Sequence, residues 1–168
     1  MNKQVFITNG MARCGKDTFA NILNEFIPTL KYSSIDKVKE IASLCGWDGG
    51  KSEKDRKFLS DLKVLTSKYS NMPLESIINK TIEFLNNDYY QVMLIDIREP
   101  EEIEKAKKIL KAKTILIKND RVQMITSNMA DANVFNYNYD FTIENNGTLE
   151  EFKDKIINFV NSEVLNDK

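Results

Sequence analysis

The sequence contains no histidine. That excludes histidine-dependent catalytic triads, histidine general bases and histidine metal ligands. Any chemistry must run on carboxylates, cations, hydroxyls and backbone N–H groups. Phosphoryl transfer is a large reaction class that works with such a set, because it rests on positioning and charge neutralisation. Arginine is scarce as well: of 24 basic residues only Arg13, Arg56, Arg98 and Arg121 are arginine. Lysine supplies the remaining positive charge. Each arginine is therefore a candidate for a task that needs the planar fork of a guanidinium, with chance placement open for any single one. The two cysteines, Cys14 and Cys45, have no metal-ligand spacing. Cys14 lies inside a glycine-rich stretch, which speaks against a structural disulfide and for a reducing, cytoplasmic setting. No apolar run approaches the ~18 residues that span a bilayer, and the opening MNKQVFITNG is too short and too soon interrupted to read as a signal peptide. A net charge of −1 provides no global basic field for nucleic acid.

What is present suits one soluble domain: 168 residues, 42% hydrophobic and 29% charged. Residues 4–8, QVFIT, read as an apolar strand that runs into the glycine-rich stretch. From Lys16 onward Phe19, Ala20, Ile22, Leu23, Phe26 and Ile27 recur at helical spacing, with Pro28 just beyond. A short strand is expected near Leu30–Ser33. Three helical stripes follow: Val38, Ile41, Ala42 and Leu44; then Phe58, Leu59, Leu62, Leu65 and Tyr69; then, after Pro73, Ile77, Ile78, Ile82 and Leu85. The runs QVMLIDI at 91–97 and KTILI at 113–117 are nearly continuous in apolar residues, as strands buried on both faces should be. A charged helix separates them at 99–111. The stretch 119–136 has no clear period. Tyr137 and Tyr139 read as core or rim, and Phe141–Ile143 as a last short strand. Thr148 and Glu151 have the spacing of a capping box before a closing helix that carries Phe152, Ile156, Ile157, Phe159 and Val160. Strands alternating with helices predict an α/β three-layer sandwich, with a parallel sheet of about five strands between helices. Ligands of such sheets bind beyond the carboxyl ends of the strands.

The stretch GMARCGKDT at 10–18 follows the first strand and opens a helix, the context that a phosphate-binding loop requires. Gly10 and Gly15 let the backbone curl, and Arg13, Cys14 and Gly15 present N–H groups that, with the helix N-terminus, attract phosphate. Lys16 is placed to reach the β- and γ-phosphates of ATP. The usual pattern continues with Ser or Thr; here Asp17 intervenes and Thr18 brings the hydroxyl one residue late. A carboxylate at 17 is near the place of Mg²⁺, where it can orient a coordinated water, and its charge beside phosphate must be offset by the metal or Arg13. Thr18 remains placed for the α- or β-phosphate. Asp96, at the end of the QVML strand, faces the loop. It is a candidate to organise magnesium through water or to orient an acceptor; the alternative is a strand-end cap.

The GKDT loop, the segment Leu94–Glu99 (LIDIRE) with its acidic helix, and the segment Asp140–Phe152 (DFTIENNGTLEEF) together resemble the phage-type deoxynucleoside monophosphate kinases. Phosphomevalonate kinases have a similar G-K-D. The resemblance implies a single P-loop kinase domain over 1–168, with a helical acceptor-binding insert at about 35–88 and a short lid at about 119–136. It implies ATP as donor, Mg²⁺ as cofactor and small-molecule nucleotide substrates as partners. By the same resemblance Arg98 binds the acceptor phosphate, Lys39 lies where the family's lysine after strand two does, and Arg121 touches adenine or phosphate from the lid. Asn145, Asn146 and Gly147 would form the turn beside adenine. Other readings stand next to these: Arg98 paired with Glu101 or Glu102, Lys39 as a solvated helix lysine, the Asn-rich turn as an ordinary turn before a cap. Arg56 is either an acceptor contact from the helical region or a surface pair. The segment between strands two and three is shorter than in the phage enzymes, and SSIDKVKE stands where they have Gly-Pro. The acceptor is thus open to dephospho-coenzyme A or phosphomevalonate, and a nucleotide-binding regulator without transfer is the rival from another class.

Overall fold

Alternate residues of a strand point to opposite faces, so a continuous apolar run feeds two cores at once. The run at 92–95 does this: Val92 and Leu94 join one buried cluster, Met93 and Ile95 the other. The computed structural model describes residues 2–122 and 133–165. In chain order it has β1 (Gln4–Asn9), α1 (Lys16–Phe26), β2 (Thr29–Ser33), α2 (Asp36–Leu44), α3 (Glu53–Ser70), α4 (Met72–Leu85), β3 (Val92–Asp96), α5 (Pro100–Leu110), β4 (Lys113–Lys118), β5 (Phe141–Glu144) and α6 (Leu149–Phe159). Among the described residues the five strands form one parallel sheet, ordered β2-β3-β1-β4-β5. The α/β sandwich predicted above is the observed fold.

One face of the sheet is covered by α1 and α6, which bring Phe19, Leu23, Phe152, Ile156 and Phe159 against Phe6, Leu94 and Ile115. The other is covered by α4 and α5, through Leu74, Ile77, Phe84, Ile103 and Ala106. Thr148 and Glu151 make the predicted capping box of α6, each side chain bonded to the other residue's backbone N–H. The helices form where the apolar stripes placed them, but not every residue of a stripe faces the core, and in α4 the expected inward face is corrected. Phe26 closes the stripe of α1 but is 44% exposed, its ring covered on one side by the Lys153 ammonium. Leu44 ends α2 in solvent. In α4 the buried face is Pro73, Leu74, Ile77, Thr81 and Phe84. Ile82 and Leu85 point outward. The helix exists where the period placed it, but its phase is turned. The stripe on α3 also forms a helix, yet no residue of α3 is buried, and Leu65 and Tyr69 are exposed.

Phe159 is the hub of the first cluster. Its ring meets Phe6 edge-on at 5.4 Å, Phe141 at 5.3 Å and Phe19 at 6.2 Å. Truncating it removes contacts to β1, β5 and α1 at once. Phe159→Ala should lower the unfolding free energy by about 3–5 kcal/mol in denaturant titrations, in line with other large aromatic truncations.

Candidate functional site

The glycine loop lies beyond the carboxyl end of β1. Gly15, immediately before α1, has φ of 106°, and a Cβ there would stand 2.5 Å from Asn145 Nδ2. At Gly10 a Cβ would meet the Ile117 carbonyl oxygen at 2.4 Å. Both positions need a glycine for close approach as well as for φ. Between them Arg13 holds a left-handed φ of 65°, a conformation that disfavours side chains and tends to persist where neighbours enforce it. Lys16 Nζ donates to the carbonyls of Gly10 at 2.6 Å and Met11 at 2.9 Å, so its ammonium is held over the loop. Cys14 is buried beneath it, and burial pushes its thiol up despite the nearby Lys16 charge. The thiol is therefore protonated at neutral pH and serves as packing. Thr18 follows in the first turn of α1, half-buried.

Asp96 ends β3 directly opposite Thr8 on β1 and Ser33 on β2. The Thr8 hydroxyl donates to one carboxylate oxygen of Asp96. The other is 3.4 Å from Lys31 Nζ, which also donates to Asp17. Asp17 and Asp96, the two carboxylates singled out from the sequence, thus meet at one lysine that the sequence reading had left out. The hydrogen bond from Lys31, and then its charge, hold the Asp17 carboxyl below the usual carboxylate range. Burial works against the Lys31 ammonium, but its bond to Asp17 and the charge of Asp96 raise it overall.

Asn9 is a second residue that sequence reasoning missed. It is buried at the end of β1; its Oδ1 accepts from Gly10 N at 2.8 Å, and its Nδ2 donates to the Arg98 carbonyl at 3.1 Å and to Tyr139 Oη at 2.8 Å. The Tyr139 hydroxyl donates in turn to the Val134 carbonyl, and burial pushes its pKa up to about 12, so it stays protonated. A polar residue ending a buried strand just before the first glycine was the available signal. Asn9 fixes the backbone at Arg98 relative to the loop; Arg98 is half-buried.

The remaining candidates lie around this centre. Lys39 is 3.6 Å from Asp36 on its own helix, while its charge still contributes to lowering Asp17. Arg56 is exposed near the start of α3, and among the described residues no hydrogen bond or ion pair joins it to the glycine loop. Arg121 donates to the carbonyls of Asn145 and Gly147, both at 3.2 Å, which ties the end of β4 to the Asn-rich turn. Asn145 reaches the loop itself, donating to the Cys14 carbonyl at 3.0 Å. Asn146 exchanges hydrogen bonds with Asp120. At Gly147 a Cβ would stand 1.9 Å from the Glu151 carboxylate, which would have to shift out of the capping box. Of the lid expected at about 119–136, residues 123–132 lie outside the described residues.

The site fits a hard divalent cation. Asp17 and Asp96 already converge on one cation, the Lys31 ammonium, and the neighbouring donors are oxygens. No group of three or more His, Cys, Asp or Glu side chains that could hold a metal occurs among the described residues. Such an ion would therefore draw most ligands from water and phosphate, which is how magnesium is commonly held.

An ion triad lies alongside. Lys63 of α3 bonds Glu99 at 2.8 Å and Glu102 at 2.7 Å, bordering an open groove of about 350 Å³ between α3, α4 and α5. Burial pushes Glu102 up to about 7 against the pull of Lys63. Glu99 is held low: burial opposes this, but the Lys63 charge and the hydrogen bond from Glu102 outweigh it.

The fold is shared with several small-molecule kinases of known structure. A dephospho-CoA kinase from Campylobacter jejuni aligns over 95% of this chain and 96% of its own, with 16% identity and a TM-score of 0.53. A shikimate kinase from Aquifex aeolicus aligns over 97% and 99%, with 13% identity and a TM-score of 0.54. A sugar kinase from a Janibacter species aligns over 96% and 95%, with 9% identity and a TM-score of 0.55. At these identities the likeness is one of fold. No protein-family model matches the sequence, and no curated protein does.

The triad has a pH signature. The Glu102 carboxyl titrates higher in the folded chain than its ordinary 4.5. Its stabilising contribution is thus full below 4.5 and is lost as pH rises through about 7. Between pH 5 and 8 the wild type should lose on the order of 1–3 kcal/mol relative to Glu102→Gln, which cannot ionise. Denaturant titrations across that range check this; parallel profiles for the two proteins would refute it.

Proposed function

We propose that this protein is an ATP-dependent phosphotransferase that moves the γ-phosphoryl group onto a small phosphorylated acceptor, with a (deoxy)nucleoside monophosphate as the leading candidate. The observation that carries this reading is the gathering of Lys16, Asp17 and Asp96 at one end of the sheet, beside a strained glycine loop whose geometry suits phosphate. On this reading the loop N–H groups and the N-terminus of α1 hold the donor phosphates. Lys16 leaves its loop carbonyls for the β- and γ-phosphates. Asp17 and Asp96 would hold magnesium through water, and the bound ion would supply neutralisation of phosphate charge. Arg98 grips the acceptor phosphate, which needs no general base because it is already an anionic nucleophile. Lys16 and the arginines then stabilise charge spread over the transferred group. Lys39 and Arg56 stand on the acceptor side, carried by the insert at about 35–88, and Arg121 with the turn Asn145–Gly147 stands on the adenine side.

The rival reading, a nucleotide-binding regulator, draws on the short insert. Turnover separates the two: incubation with magnesium-ATP and a panel of nucleoside and deoxynucleoside monophosphates, with dephospho-coenzyme A included because one fold neighbour carries that name. Formation of ADP with a phosphorylated acceptor supports the kinase; binding without turnover on every acceptor supports the regulator.

Lys16→Ala should lower kcat by on the order of 100- to 1,000-fold, as loss of a charge-stabilising donor does, and should weaken ATP binding while the circular dichroism spectrum stays native. Unchanged ATP affinity and turnover would mean that Lys16 only braces the loop.

Arg98→Lys tests the acceptor side. A guanidinium can grip phosphate through two parallel N–H···O bonds; an ammonium cannot. Loss of one charge-assisted bond costs roughly 1.5–3 kcal/mol. The acceptor kcat/KM should therefore fall about 10- to 100-fold with ATP affinity little changed. A fall in ATP binding with an unchanged acceptor KM would move Arg98 to the donor side.

A further inference from the structure

We propose that Lys31 is a built-in counter-cation for the Asp17–Asp96 pair, that it competes with magnesium for these carboxylates, and that it thereby sets how much metal the site needs. The inference rests on the magnesium-nucleotide reading given above. Lys31 stands on β2 opposite Leu94, and Ser33 opposite Asp96, so Lys31 emerges on the sheet face that α1 covers. From there its side chain runs toward the start of α1 and meets two carboxylates from different elements. It donates to Asp17 and lies 3.4 Å from Asp96 Oδ2.

An exposed lysine on an edge strand would ordinarily be a solvated charge in a weak pair. Three observations set this one apart. Asp96 keeps only 19% of its side chain exposed and spends its other oxygen on Thr8, so its charge is poorly hydrated. Lys16, a second cation near the pair, is engaged by the Gly10 and Met11 carbonyls, and Lys39 lies 3.6 Å from Asp36 on its own helix. Lys31 is therefore the cation that Asp17 and Asp96 share, and it stands between carboxylates that would otherwise repel. A divalent ion drawing on the same oxygens, directly or through water, must take that place, because two cations at one pair of carboxylates repel each other. Lys31 then moves aside, and its ion pairs are the cost of loading the metal.

The test uses the full-length protein and metal alone. Mn²⁺, a spectroscopic stand-in for magnesium, is titrated into nucleotide-free protein and the free ion followed by electron paramagnetic resonance. Each ion pair of this exposure weighs up to a factor of about 5 in an equilibrium. Lys31→Met should therefore tighten Mn²⁺ binding by up to about 25-fold over wild type. Lys31→Arg should stay near wild type, and Asp96→Asn in the Lys31→Met background should abolish the gain. Equal or weaker Mn²⁺ affinity in a natively folded Lys31→Met protein would overturn the proposal, and so would failure of both proteins to bind Mn²⁺. Because no phosphoryl transfer is measured, the outcome is separate from the kinase reading. A tightening without turnover on any acceptor keeps this inference and sinks that reading; turnover with unchanged Mn²⁺ binding does the reverse.

Discussion

Because β1 and β3 run parallel with Thr8 opposite Asp96, the ends of the two strands stop at the same height, and the segments that follow each are forced side by side. The glycine loop follows β1; Ile97, Arg98 and Glu99 follow β3. Asn9, one residue past the Thr8–Asp96 pair, then closes the join through the Gly10 N–H and the Arg98 carbonyl. A slip of one residue would reverse the faces of β3, sending Asp96 toward α5 and Ile95 toward the loop. The cost would be large, since Val92 to Ile95 are all buried and split between two cores. The hydrophobic patterning of strands that never touch a ligand is thus what places the charged groups.

The charges concentrated there are unfavourable by themselves. Two carboxylates approach each other, a non-glycine residue is held at positive φ, and an ammonium sits on backbone carbonyls. Each feature is compensated locally: Lys31 and Thr8 for Asp96, Asn145 bonded to the Cys14 carbonyl for the loop, Arg121 bonded to Asn145 and Gly147 for the turn behind it. Such clustering of strain with its own supports is the usual mark of a site prepared for charge.

Elements whose signal is local could be read from the sequence. The glycine loop, the two unbroken apolar strands and the Thr148–Glu151 cap each depend on neighbours within a few residues, and each lies where expected. The partnership of Lys31 with Asp17 and Asp96 was invisible for the opposite reason. It joins residues separated by 14 and 65 positions and needs the parallel register of an edge strand to be known first. Lys31 in isolation is one of many lysines. Helix phase in the insert failed for a different cause. Ile78, Ile82 and Leu85 are as apolar as Leu74, Ile77 and Phe84, so period alone does not choose between overlapping faces. The choice is made by contact with β3 and α5, which sequence spacing does not encode.

The insert also shows how weak burial and strong electrostatics are divided. The α3 helix covers 18 residues without one buried side chain, so hydrophobic packing attaches it poorly. Besides its contacts with α2 and α4, it is tied to the segment after β3 by Lys63, bonded to Glu99 and Glu102. Glu99 is the residue after Arg98, so the attachment reaches the backbone of the proposed acceptor-binding segment itself. A helix held by half-buried side chains and an ion triad separates from its neighbours at a lower cost than one packed into a core, and segments that must move around substrates are drawn from that weaker class. Displacement of α3 would also free Glu99 and Glu102 together, leaving two carboxylates beside Arg98 with their shared ammonium gone. Lys63 thus links the position of α3 to the charge of Glu99, the residue next to Arg98.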